Sequence, residues 1–208
     1  MPLVKKSAPQ PSGGITVDDD HAGLLQKLSS PEPDARWNAV RVLGNDPKDV
    51  PALAAALAIE PMPHVREAIM TALIRIGDET SAEALLPYLR SPDAARRGAA
   101  IEALQSLPGA TAPFMLALLR DNDTDVRILA IELVRGMPPA DATRLLCNVL
   151  EQEGHPNVCA SAVDALAELG TPEALPALRT CAQRFAETPF LPFAISVAIA
   201  RISDANGG

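Results

Sequence analysis

The chain has 208 residues, of which 48% are hydrophobic but only 3% aromatic, so alanine and leucine carry the apolar content. That balance favours closely packed helices over sheet, and a chain this long buries roughly 70% of its unfolded surface without needing staples. A net charge of −8 argues against wrapping a phosphate backbone, which needs clustered Lys and Arg, while 21% charged residues is too few for a disordered acidic tail.

Residues 1–17 are rich in Pro, Ser and Gly and read as a flexible N-terminal tail. Lys5 and Lys6 are followed by no apolar segment, so no signal peptide is visible. Asp18, Asp19 and Asp20 suit an N-terminal anchor for a first helix better than a metal site. From residue 18 apolar residues recur at helical spacing, punctuated by Pro, Gly and Asp.

The punctuation is periodic. Three, six and seven residues beyond Arg36 come Ala39, Val42 and Leu43. The same offsets give Ile69, Ala72 and Leu73 from Arg66, and Ala100, Ala103 and Leu104 from Arg97. They give Ala130, Leu133 and Val134 from Arg127, Ala162, Ala165 and Leu166 from Cys159, and Ile195, Ala198 and Ile199 from Pro192. The marks lie 30, 31, 30, 32 and 33 residues apart. These offsets fall on one face of a helix, which predicts six helices, termed B, each with one buried stripe. A helix A precedes each, clearest in 50–57, 84–89, 112–119, 145–150 and 174–178. Pro51, Pro113 and Pro172 sit early in helix A, where the first turn tolerates them; Pro87 and Pro176 sit deeper and predict kinks. Asp34, Asp93, Asp125 and Asn157 precede B helices as candidate N-caps.

One helix pair cannot bury its own stripe, whereas stacked pairs can. The predicted fold is therefore an all-α, right-handed α-solenoid of about six helix pairs over residues 18–203, with a flexible C-terminus at 204–208. The run Asp123-Thr-Asp-Val-Arg-Ile-Leu-Ala130, with the Leu and Gly that follow such helices, resembles the HEAT repeat. At about 31 residues per copy it is closest to the short variety first noted in phycobilisome lyases. The resemblance implies that Arg36, Arg66, Arg97 and Arg127 form a ladder of ion pairs with loop Asp residues. Cys159 and Pro192 break that ladder, so the last two units must be held differently. His64 and His155 read as solvated residues of the loops between A and B helices.

Similar solenoids host enzymes, and their chemistry can be sought. The di-iron hydroxylases of this build use His-Glu pairs, but Glu follows none of His21, His64 and His155. DNA glycosylases of this build need a cationic, aromatic-lined groove, and an acidic chain with one Trp and one Tyr fits poorly. Walker loops, G-x-G-x-x-G and nucleophile elbows are absent from the sequence. Cys147, Cys159 and Cys181 contain no C-x-x-C and read as buried thiols of a reducing compartment. No apolar run reaches the roughly 18 residues of a membrane span. The expected setting is the bacterial cytoplasm, with no cofactor, metal, nucleic acid or membrane. The bilin lyases share the repeat length, and the resemblance leaves a role on a chromophore-bearing protein as the alternative.

The B-helix positions one, five and eight beyond each mark lie opposite the stripe and are expected to line the concave surface. They place Glu102, Glu132 and Asp164 in an acidic row, with Arg135 beside it and the apolar Trp37, Ile74, Ile128 and Phe193 on the same face. Two accounts compete: a solvated face with apolar groups packed on neighbouring turns, or a partner-binding groove with apolar anchors that favours a basic protein segment. Residues 189–202 are almost wholly apolar and suggest self-association or docking at the C-terminal repeat. The function expected is a non-catalytic scaffold or regulatory adaptor.

Overall fold

The computed structural model describes residues 21–205; the predicted tail, the Asp18–Asp20 anchor and residues 206–208 lie outside the described residues. Among the described residues there are six helix pairs and no strand. The first pair is α1 (His21–Lys27) with α2 (Pro33–Leu43), and the second α3 (Val50–Ile59) with α4 (Pro63–Ile76). In the third, α5 (Glu79–Leu85) precedes α6 (Ala94–Gln105). The fourth has a broken first helix, α7 (Pro108–Thr111) and α8 (Met115–Leu118), before α9 (Thr124–Val134). The fifth is α10 (Pro139–Gln152) with α11 (Pro156–Leu169), and the sixth α12 (Leu175–Arg184) with α13 (Leu191–Ala205). The B helices α2, α4, α6, α9, α11 and α13 each pack on the next, and behind them α3 packs on α5, α5 on α7 and α10 on α12. This is the all-α solenoid expected from the period.

Two local expectations change. Pro87 and Pro176 do not kink helices; each lies at the start of a new segment. Proline lacks an N–H and disfavours α geometry in the residue before it, so α5 stops at Leu85 and the chain continues as a 3₁₀ turn through Leu86–Arg90. The N-caps lie two residues earlier than three of the four predicted. Asp93 caps as expected, accepting from the N–H of Ala95 and Arg96. The other caps are Glu32, Asp123 and His155, with Asp34, Asp125 and Asn157 inside the first turn. His155 caps through Nδ1, which accepts from the Asn157 N–H at 3.3 Å. At the far end α13 stays helical through Ala205.

The stripe is buried as predicted at offsets three and seven, apart from a half-buried Ile199. Offset six is buried in every unit but the first, where Val42 is 37% exposed. The reason is directional. Offset six faces the preceding unit: a Cβ built on Gly44 would lie 2.4 Å from the Ala72 Cβ of the next repeat. No preceding unit exists among the described residues to cover Val42. Small residues at this seam let neighbouring B helices approach closely, so Gly44→Val overpacks it. We expect a loss of about 2–3 kcal/mol by urea denaturation, whereas Gly98→Ala, which meets open space, should stabilise by about 0.5–1 kcal/mol.

The arginine ladder is present, but its main partners are carbonyls and glutamates. Each ladder arginine donates from Nη1 to the carbonyl six residues before it: Arg36 to Ser30 at 2.8 Å, Arg66 to Glu60 at 3.3 Å, Arg97 to Ser91 at 2.6 Å and Arg127 to Asp121 at 2.6 Å. The side chain at that same position turns the loop by accepting the N–H two residues on, as Glu60 does from Met62 at 2.8 Å. Two arginines also clasp a glutamate of the next unit, Arg36 with Glu60 at 2.7 Å and Arg127 with Glu153 at 2.7 Å. The Arg36 bond holds the Glu60 carboxyl below its ordinary range against the opposing pull of burial. Burial raises Glu153 less than the His155 N–H and Arg127 lower it.

The fifth unit shows how the broken ladder is repaired. Cys159 stands in the arginine slot, its Sγ 3.5 Å from the Glu153 carbonyl. Arg184, at the end of α12, reaches back instead and donates to the carbonyls of Leu150 at 2.6 Å, Glu153 at 2.8 Å and Glu151 at 3.0 Å. A guanidinium from the next repeat thus satisfies the loop that lost its own.

Candidate protein-binding groove

Helices α4 and α6 are neighbouring B helices, and a groove of about 460 Å³ opens between them. Its floor is apolar because the residues there are small on α6 (Ala95, Ala99) and flexible or branched on α4 (Met70, Ile74). Tyr88 closes one side; burial pushes its phenol up, while the charge of Arg96 pulls it back. Glu67 from α4 and Glu102 from α6 stand at the rim. Neither has an ion-pair partner among the described residues. The rim's cations are committed elsewhere: Arg66 to the carbonyls of Pro61, at 2.6 Å, and Glu60, and Arg96 to Asp93 at 3.6 Å. The groove therefore offers apolar contact beneath two carboxylates that no direct ion pair among the described residues holds.

The other predicted residues lie in different settings. The acidic row is divided. Arg135, half-buried, meets Glu132 at 3.2 Å, Asp164 at 2.7 Å and also Glu168. Burial alone would lower the Arg135 pKa, but the bond to Asp164 and the charges of Glu132 and Glu168 raise it. Glu132 and Asp164 are thus tied to a cation that the linear reading placed beside them without pairing. Trp37 is half-buried against the core, with the Arg41 guanidinium 4.8 Å from its ring centre. Ile74, which lines the groove, and Ile128 also pack on the core. Phe193 is 73% exposed on α13, with Phe190 at 46% nearby.

The linear reading passed over Glu67, Met70 and Tyr88. Glu67 occupies offset one, a position the repeat phase does mark. Met70 sits at offset four, between the buried and open faces, and Tyr88 belongs to the 3₁₀ turn that ends the third A helix, whereas the repeat marks were read on B helices. Among the described residues no group of three or more His, Cys, Asp and Glu could hold a metal, and none of their helices is long and apolar enough to cross a membrane.

Stacked helix pairs bound through a guanidinium ladder define an α-solenoid repeat protein. The chain belongs to the HEAT-repeat family, whose model matches residues 22–105 and 111–187. Over 74 residues it is 43% identical to the bilin biosynthesis protein PecE of Mastigocladus laminosus; the match takes in 35% of this chain but only 28% of that protein's length. Among solved structures, the complex of CpcE and CpcF of phycocyanin lyase from Nostoc sp. PCC7120 is similar, with 17% identity over 97% of this chain and 100% of that one, at a TM-score of 0.39. A designed armadillo repeat protein in complex with the peptide (KR)4 is 17% identical over 86% of this chain and 98% of that one, at a TM-score of 0.44.

Proposed function

We propose that this chain is a non-catalytic interaction scaffold whose B-helix face binds a protein partner through a basic segment. The observation that carries this reading is the α4–α6 groove, where Glu67 and Glu102 stand unpaired above Met70, Ile74 and Tyr88. A Lys or Arg side chain laid there places its aliphatic stem on the floor and its charge between the carboxylates. Ile128, Phe193 and the Arg135 cluster with Glu132 and Asp164 extend the same face, with Trp37 at its other end. They offer apolar anchors and a net-negative cluster in which one guanidinium already holds three carboxylates, so specificity falls chiefly to the carboxylates without an ion pair, Glu67 and Glu102.

The identity with a bilin biosynthesis protein favours a second reading, a bilin lyase-like role on a chromophore-bearing protein. A linear tetrapyrrole brings propionate carboxylates, which Glu67 and Glu102 repel and Arg66 and Arg96 of the same lining attract; both arginines already have acceptors of their own, so the scaffold reading stands first.

One titration separates the two. Fluorescent peptides matched in length and apolar content, basic or acidic, are added to the full chain, with a free linear tetrapyrrole as a third arm. Basic peptides should bind more tightly than acidic ones, and Glu67→Gln with Glu102→Gln should weaken them at least about tenfold. Asp164→Asn should change little. Equal binding of both peptide charges would overturn the scaffold reading, and a shifted tetrapyrrole absorbance alone would promote the second.

A further inference from the structure

The thiols of Cys159 and Cys181 are both fully buried. Cys159 lies on α11 and Cys181 on α12, one turn before Arg184, and each thiol bears on the other's protonation, as does the Arg184 charge. Arg184 stands over them, its Nη2 3.9 Å from the Cys159 Sγ, and Arg184 itself is exposed. The pair therefore lies one guanidinium beneath the surface. It also occupies the rung where the ladder has lost its arginine, so these two sulfurs meet at the seam joining the fifth and sixth repeats.

We propose that Cys159 and Cys181 are an oxidation site that closes to a reversible disulfide, a covalent rung between α11 and α12. The oxidant class is a hydroperoxide, and hydrogen peroxide, close to water in size, is its smallest member. The neighbouring Cys159 thiol and the Arg184 charge favour the thiolate on Cys181, while Cys159 keeps its proton, its Sγ 3.5 Å from the Glu153 carbonyl. The Cys181 thiolate attacks one peroxide oxygen and the O–O bond breaks. Hydroxide leaves and takes up a proton as water, and Cys181 becomes a sulfenic acid. The Cys159 sulfur then attacks the Cys181 sulfur. The S–O bond breaks, and the departing hydroxide takes the Cys159 proton as a second water. Two thiols and one peroxide give one disulfide and two waters: the sulfurs lose two electrons together and the peroxide gains them. A dithiol reductant reverses the change. Cys147, only half-buried and remote from the pair in the chain, has no thiol partner and takes no part.

The test uses the folded full chain. It is treated with hydrogen peroxide, quenched, unfolded, alkylated with N-ethylmaleimide and weighed intact. The expected product has lost the mass of two hydrogens and carries one alkyl group, on Cys147. Peptide mapping should join the Cys159 and Cys181 peptides, and dithiothreitol should restore three alkylated thiols. Cys147→Ser should still form the link with the same time course, whereas Cys181→Ser should not. Three alkylated thiols after peroxide, oxygen added to a single cysteine without a link, or a link through Cys147 would each overturn the proposal. If Cys181→Ser fails to fold, the Cys147→Ser chain alone decides, by forming or not forming the link.

Discussion

Replacing Arg36 with methionine lowers the thermal midpoint by about 10 °C, and replacing Glu60 with leucine as well restores most of that loss. The asymmetry follows from burial. The Glu60 side chain is 3% exposed and its charge is matched by the Arg36 fork at 2.7 Å. Removing the cation alone strands a buried carboxylate, whereas removing both leaves apolar groups in contact. Arg36 also holds the Ser30 and Pro31 carbonyls, so the double variant should fall somewhat short of the parent. The pH dependence supplies a second reading of the same bond. The folded-state pKa of Glu60 is depressed, so its contribution is full above the unfolded carboxylate value of about 4.3 and is lost as pH falls through the folded value. Thermal scans from neutral pH into acid should show that loss in the parent and a shallower one in the Arg36→Met chain. Parallel acid slopes would contradict the assignment.

The second large effect is at Arg184. Its Nη atoms hold three carbonyls, those of Leu150, Glu151 and Glu153, and methionine would leave them without that donor. The Leu150 carbonyl is part-buried and the other two are exposed; charge-assisted bonds are worth more than average ones, and a fall in midpoint of about 5 °C is expected. In a stack whose units touch only their neighbours, the loss should be local. Amide exchange should accelerate in α12 and α13 before it does in α2 or α4. Arg179, exposed on the same helix, provides the matched control, and its methionine variant should resemble the parent. Uniform acceleration along the whole chain would contradict a local role.

The repeat phase was legible in the sequence because burial in a solenoid is periodic. Ala39, Ile69, Ala100, Ala130, Ala162 and Ile195 are spaced as the stack requires and are all buried. What the sequence hid depends on neighbours far along the chain. Val42 obeys the pattern yet stays partly exposed, because the unit that would cover it is missing from the described residues. Arg135 sat in plain view beside Glu132 and Asp164, but nothing in their numbering says that one guanidinium reaches three carboxylates. Arg184 repairs the rung at Cys159 from about a repeat away, and only stacking brings the two together. The groove was half visible: Ile74 and Glu102 follow from the B-helix phase, while Tyr88 comes from a 3₁₀ turn at the end of an A helix.

The seams between units are unequal, and this bears on mechanics. Side-chain bonds join the first unit to the second through Arg36 and Arg75, the third to the fourth through Arg90 and Gln105, the fourth to the fifth through Arg127 and Arg135, and the fifth to the sixth through Arg184. Between the second and third units, no side-chain hydrogen bond or ion pair crosses among the described residues. Directional bonds resist sliding and shear, while apolar contact alone yields to both. The array is therefore two stiff arms on a compliant joint, and the groove between α4 and α6 lies at that joint. Whatever wedges into it sets the angle between the arms, so occupancy there is felt as a change of curvature at both ends of the molecule.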